Sequence, residues 1–282
     1  MSPAMPASPA RNSDGALDRI QAGRRYFFEP AEFARATGRQ AQSPALRLAL
    51  HRLVKRNRIT LVTRRPSGYL IVPPEHLSFG APPVTWWIDD CLRRVDPNYY
   101  VALLSAARHW GSSHYARQDT QIMLSKPHVP LTPGRLHVVF VAKAGIARTP
   151  TTTVSNDVAP WRVSTRAATL LDLTRHQTVV GGLEAVARIA RDLAPSIEER
   201  EIIAALDALD QVPAVQRLGF LLQTLQCNVL AGAVYGWLRG RSDIGVPQPL
   251  ELGNPNVDQT SKDRRWNVRF DRVNAARIAE FQ

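Results

Sequence analysis

Between Ser43 and Pro73 the sequence leaves the backbone little choice. Ser43 followed by Pro44 places a side-chain cap and a first-turn proline in the order a helix start prefers. The run ALRLALHRLVKRN then extends to about Asn57, and at 100° per residue Leu46, Ala49, Leu50, Leu53 and Val54 fall on one side. Directly after it, ITLVTR and GYLIVP are β-rich runs punctuated by Arg65-Pro66-Ser67, which reads as a hairpin. Upstream, Asp14 can cap a short helix carrying Leu17 and Ile20 that ends at Gly23. An extended Tyr26-Phe27-Phe28 follows, then a two-turn helix from Pro30 to Gly38. Helix, short extended segment, helix, helix and hairpin is the order of a winged helix-turn-helix, assigned here to residues 14–78.

The polar side of the helix from Pro44 points to a ligand. Arg47, His51 and Lys55 recur at spacings of four, with Arg52 and Arg56 on the flank. Like charges at that spacing repel within a helix, so the stripe gains nothing internally and implies an external anion. Leu48 shares the outer arc, where a thymine methyl would match it. Arg64 and Arg65 stand at the hairpin tip, Arg24 and Arg25 precede the second helix, Arg58 leads into the hairpin, and Ser43 marks the helix start. These residues form the expected DNA-binding set, one helix in the major groove and neighbouring cations on phosphates. Charge distribution agrees. The chain carries a formal +12, and residues 1–78 hold eight of those excess charges. A surplus of that size attracts polyanions.

Other classes lose support. Cys91 and Cys227 are the only cysteines and lie far apart, which offers neither a disulfide framework nor a zinc motif. No G-x-G-x-x-G, phosphate loop, H-E-x-x-H or G-x-S-x-G occurs, no lysine has an acid two residues before it, and His109 and His114 are off helical spacing. The expectation is a chain without enzymatic activity, cofactor or metal. The longest apolar run, LAGAVYGWL at 230–238, is about half of what membrane spanning needs. A soluble cytoplasmic protein with no membrane partner is expected.

Residues 1–13, rich in Pro, Ala and Ser, read as a flexible tail. The stretch PPEHLSFGAPPV at 73–84 holds four of the 21 prolines and suggests a domain boundary at 78/79. Residues 79–282 then read as a larger mixed α/β domain: helical patterns at 85–95 and 98–110, and extended runs near 120–125, 135–143, 150–155 and 161–164. Four helices and a fifth near 230–240 come next, and short strands at 249–252 and 266–270 close the pattern. Ser196 with Glu199 suggests a capping box. Strands followed by a run of helices make the overall class α+β.

YYVALLSAARHWG at 99–111, VSTRAATLLDLTRHQTVVGGLEAV at 163–186, RLGFLL at 217–222 and WNVRF at 266–270 resemble the AbiE-type antitoxin family of type IV, abortive-infection toxin-antitoxin systems. The resemblance covers nearly the whole chain. It implies two roles: repression of its own operon through inverted repeats in double-stranded DNA, and neutralisation of a nucleotidyltransferase-like toxin, often without a stable complex. It leaves the antitoxin surface open. Arg162, Arg166, Arg175, Arg188 and Arg191, beside the apolar stripes, are the candidates. The competing reading is a plain winged-helix transcription factor whose second domain senses a ligand or dimerises.

Overall fold

A computed structural model describes residues 12–112, 119–253 and 259–281. The chain packs as two compact units.

The first unit comprises residues up to Pro97 together with Val129–Val139 and Thr153–Trp161. It opens with α1 (Ser13–Ala22), β1 (Phe27–Phe28), α2 (Pro30–Thr37), α3 (Pro44–Lys55), β2 (Ile59–Arg64) and β3 (Ser67–Ile71). The cap of α1 is Asn12, which accepts from the Asp14 amide, and Ser13 is already helical. The expected Asp14 cap and the tail boundary at residue 13 are corrected accordingly, since an asparagine oxygen two residues earlier caps the helix start. Gly23 ends the helix, but Arg24 is the residue that takes the left-handed backbone, at φ 56°.

The three strands form an antiparallel sheet in the order β1-β3-β2. Gly68 is required in β3, because a Cβ there would lie 2.5 Å from the Phe27 ring. Phe28 fills the space between Phe33 and Tyr69, at ring separations of 5.7 and 5.8 Å. Of the expected apolar stripe of α3, Leu46, Ala49, Leu50 and Leu53 are buried but Val54 is 37% exposed. The stripe is narrower than periodicity suggested because Val54 opens onto a groove rather than onto the sheet.

The chain beyond the hairpin stays in this unit. Two single 3-10 turns, Pro74–His76 and Val84–Trp86, lead to α4 (Ile88–Leu92). Trp86 packs on Tyr26 at 4.9 Å, and the buried Trp87 donates its indole N–H to the Pro82 carbonyl. Gly134, at φ +58°, approaches Phe79 so closely that a Cβ would sit 2.2 Å from the Phe79 carbonyl. The proline-rich stretch therefore belongs to a unit that extends to Pro97, although Leu77 and Phe79 within it are exposed.

The second unit is built on Asn98–His128, Phe140–Thr152 and Arg162 onward. β4 (Tyr100–Val101) and α5 (Leu103–His109) replace the single helix expected over 98–110. β4 is central in a five-stranded mixed sheet with β5 (Asp119–Leu124), β6 (His137–Ala142), β7 (Thr151–Ser155) and β8 (Pro160–Ser164), in the order β6-β5-β4-β8-β7. It pairs antiparallel to β5 and parallel to β8. A two-residue strand flanked by a helix leaves no alternation to read.

The helices follow as α6 (Arg166–Arg175), α7 (Gln177–Val180), α8 (Leu183–Leu193), α9 (Glu199–Leu209), α10 (Val212–Thr224) and α11 (Asn228–Arg239). The expected capping box at Ser196 is absent: Ala194–Ser196 is a 3-10 turn, Ile197 is extended and buried, and α9 starts after Glu198. Burial of Ile197 moves the helix start two residues on. A second sheet, β10-β11-β9, joins β9 (Gln248–Pro249), β10 (Ser261–Asp263) and β11 (Val268–Phe270), and α12 (Arg272–Ala279) follows. β10 and α12 had no counterpart in the pattern, since α12 buries only Ile278. The molecule is α+β, as the order of elements implied.

Candidate nucleic-acid interface and antitoxin domain

In the first unit, Ser43 accepts from the Leu46 amide at 3.2 Å and fixes where α3 begins. That phase turns Arg47, Leu48, His51, Arg52 and Lys55 outward, all exposed, with Leu48 at 49%. Arg47 and His51 also line one wall of an open groove of about 800 Å³. Its other walls are Leu61, Pro66, Ser67 and Tyr69 of the hairpin, and Pro30 and Ala31 at the start of α2. Burial alone pushes the Tyr69 hydroxyl above its ordinary range, so it stays protonated and able to donate. Arg64 and Arg65 are exposed at the hairpin tip, where Thr63 and Ser67 hydrogen-bond to the turn's carbonyls and hold its shape.

The remaining cations of the expected set are engaged within the protein. Arg25 pairs with Glu32 and, at 3.3 Å, with Asp90, which together raise its guanidinium pKa against the opposing effect of burial. Arg56 and Arg58 reach back to Asp14, and Arg58 also to Asp18, at 3.3 to 3.9 Å. Arg24 donates to the Asp157 carbonyl at 2.9 Å. By contrast, Arg47, Arg52, Lys55, Arg64 and Arg65 have no ion-pair partner among the described residues. The geometry thus separates five cations without an ion-pair partner among the described residues from Arg25, Arg56 and Arg58, which are paired with acids.

In the second unit the quoted motifs meet in space. Trp266 packs against Gly219 of α10, where a Cβ would fall 2.0 Å from its ring, and its indole N–H donates to Gln223. Phe270 packs on Phe220 at 5.0 Å. Leu218, Phe220 and Leu221 are all buried, so RLGFLL and WNVRF form one packing unit. At the first two motifs, Lys143 Nζ, Asp172 and Tyr100 close a buried triangle: 2.6 Å from Nζ to Asp172, 2.9 Å to the Tyr100 hydroxyl, and 2.7 Å from that hydroxyl to Asp172. Burial lowers the Lys143 ammonium pKa and raises the Tyr100 phenol well above its ordinary value, and Asp172 raises both. Residues 100–224, which contain this triangle and Gly219, match the AbiEi antitoxin C-terminal domain.

The domain belongs to the AbiEi antitoxin family. This match supports an antitoxin role. A crystal structure of the RV2827C protein from Mycobacterium tuberculosis shares the fold over 98% of this chain and 100% of its own, with a TM-score of 0.64 at 15% identity. No curated protein matches the sequence.

Within the antitoxin domain the expected arginine surface is largely engaged. Arg166 stacks over Trp110 at 4.3 Å, Arg162 donates to Thr151, Arg188 pairs with Glu184 and covers the Phe281 ring, and Arg191 pairs with Asp192. Only Arg175 is fully exposed. His109 packs edge-on against Trp110, and His114 lies outside the described residues. Among the described residues no cluster of His, Cys, Asp or Glu could hold a metal, and no helix is long and apolar enough to cross a membrane. The buried triangle went unread in the sequence although a signal existed: Asp172 is a lone acid among Leu170, Leu171 and Leu173 on a face that must be core.

Proposed function

We propose that this chain is a cytoplasmic DNA-binding repressor that acts as the antitoxin of a type IV system. In this reading it needs no cofactor and performs no catalysis. The first unit works as a winged helix-turn-helix, with α3 in the major groove of operator repeats and the β2-β3 hairpin as the wing. One observation carries the reading. Five cations on α3 and the hairpin tip are exposed and have no ion-pair partner among the described residues, while Arg25, Arg56 and Arg58 are paired with acids. Such a surface attracts polyanions, and a spaced row of phosphates matches it. Arg47 and His51 then lie early on the helix where base edges are reachable, and Arg64 and Arg65 hold phosphate. The antitoxin domain neutralises a nucleotidyltransferase-like toxin, without need of a stable complex.

The test is a growth assay beside a promoter reporter, using Arg47→Ala with Lys55→Ala in the full chain. Repression should be lost and rescue from the toxin kept. Loss of both activities in a folded protein would sink the two-role reading, and rescue against no neighbouring toxin would favour a plain transcription factor.

A further inference from the structure

A second cationic surface lies on the small sheet of the antitoxin unit. Lys262, Arg264, Arg265, Arg269 and Arg272 are all exposed and fall between positions 262 and 272. Lys262 and Arg269 are register partners across the β10-β11 ladder. Their neighbours Val268 and Phe270 turn toward the core, the latter against Phe220, so alternation sends this like-charged pair outward together. Like charges directly opposite on a sheet destabilise it, unless something outside neutralises them.

The nearby acids do not. Asp263 accepts from the Trp266 amide at 2.8 Å, and Asp271 caps α12 through the Asn274 amide at 2.9 Å. None of the five cations has an ion-pair partner among the described residues. Two of them are held in place: Arg265 stacks over Tyr235 at 4.4 Å, and Arg272 donates to the Ser261 hydroxyl beside an open polar recess. Four of the five are guanidinium groups, whose planar fork matches paired phosphate oxygens.

We propose that the β10-β11 hairpin and Arg272 form a second nucleic-acid-binding surface, which grips the sugar-phosphate backbone without reading bases. Three ladder positions at about 3.4 Å each give a strip of roughly 10 Å, a scale suited to a few successive phosphates. A bilayer would call for an apolar anchor beside the charges. Val273 is the single large apolar side chain exposed among residues 259–281. The inference is independent of α3 and holds whatever that helix binds.

The experiment compares the full chain with Lys262→Gln/Arg269→Gln, whose outward side chains leave the core untouched; thermal melting should show it at least as stable as the parent. Probes are a random-sequence DNA duplex, a single-stranded RNA of the same length and poly-glutamate, each titrated between about 50 and 200 mM salt. Affinity for at least one nucleic acid should fall roughly tenfold or more at about 0.15 M salt, and for that nucleic acid the slope of log affinity against log salt should flatten, by about 1.8 for the duplex at about 0.9 per lost phosphate contact or by about 1.4 for the RNA at about 0.7. The duplex and RNA arms identify which backbone is held. Sequence preference should be unchanged, whereas Arg47→Ala/Lys55→Ala should remove it, so failure of one reading is separable from failure of the other. Unaltered affinity and slope in both nucleic-acid arms would overturn the proposal, as would poly-glutamate binding that equals them and falls in parallel.

Discussion

Gly219 shows how a single missing atom can organise a domain. Its position on α10 admits the Trp266 ring to a distance at which any Cβ would collide with it. Gly219→Ala should therefore destabilise the protein by about 1 to 3 kcal/mol, the cost of overpacking a closed core, despite alanine's better helix propensity. A urea denaturation midpoint lower than the parent's, with repression and rescue lost together on warming, is the expected result; a midpoint equal to the parent's would mean that Trp266 does not sit there. The Lys143-Asp172 pair makes a different test. Asp172→Ala leaves a buried ammonium uncompensated and should cost about 3 to 5 kcal/mol, while Lys143→Met with Asp172→Leu should recover most of it. Acid titration adds a third. Burial, and secondarily neighbouring cations, hold His109 and His176 below the ordinary imidazole range. The unfolded chain then binds more protons than the folded one as pH falls below about 6.5, so stability should decline through that window. His176→Asn should flatten the decline, as read from melting temperatures at pH 7.5 and 5.

At the scale of elements, α3 carries most of what the sequence made legible. Cap, proline and outer arc stand where periodicity put them, and so does the apolar stripe except at Val54, because an amphipathic helix with a hairpin behind it buries its apolar side. Truncating a single unopposed cation should be read at this scale too. Arg64→Ala or Arg65→Ala should weaken binding to all duplexes alike and lower the salt slope by about 0.9, while Arg47→Ala or His51→Ala relaxes sequence preference. A preference altered by the hairpin changes alone would reverse those assignments. What remained illegible has a common cause. β4 and β10 are two and three residues long, and strands of that length show no alternation. The partners of Arg25, Arg56 and Arg58 sit on other elements, and the like-charged pair at Lys262 and Arg269 exists only once the ladder register is known. Charge counts locate a basic region, and only tertiary pairing says which of its charges are spent.

At the scale of the whole molecule, the proline stretch has a role different from a linker. Tyr26 needs Trp86, and Arg25 needs Asp90, so a fragment of residues 1–97 should melt higher than one of residues 1–78, although the longer piece still lacks 129–139 and 153–161. Equal melting temperatures would return the boundary to residue 78. The placement of Trp266 and Val268, both fully buried and far along the chain from the helices they cover, has a bearing on synthesis. A ribosome that has released α10 has not yet released the residues that close over it, and Gly219 faces an unfilled hollow until position 268 has emerged. During that interval the core around Gly219 is open to proteases. Closure of this core would wait until Trp266 and Val268 have been translated.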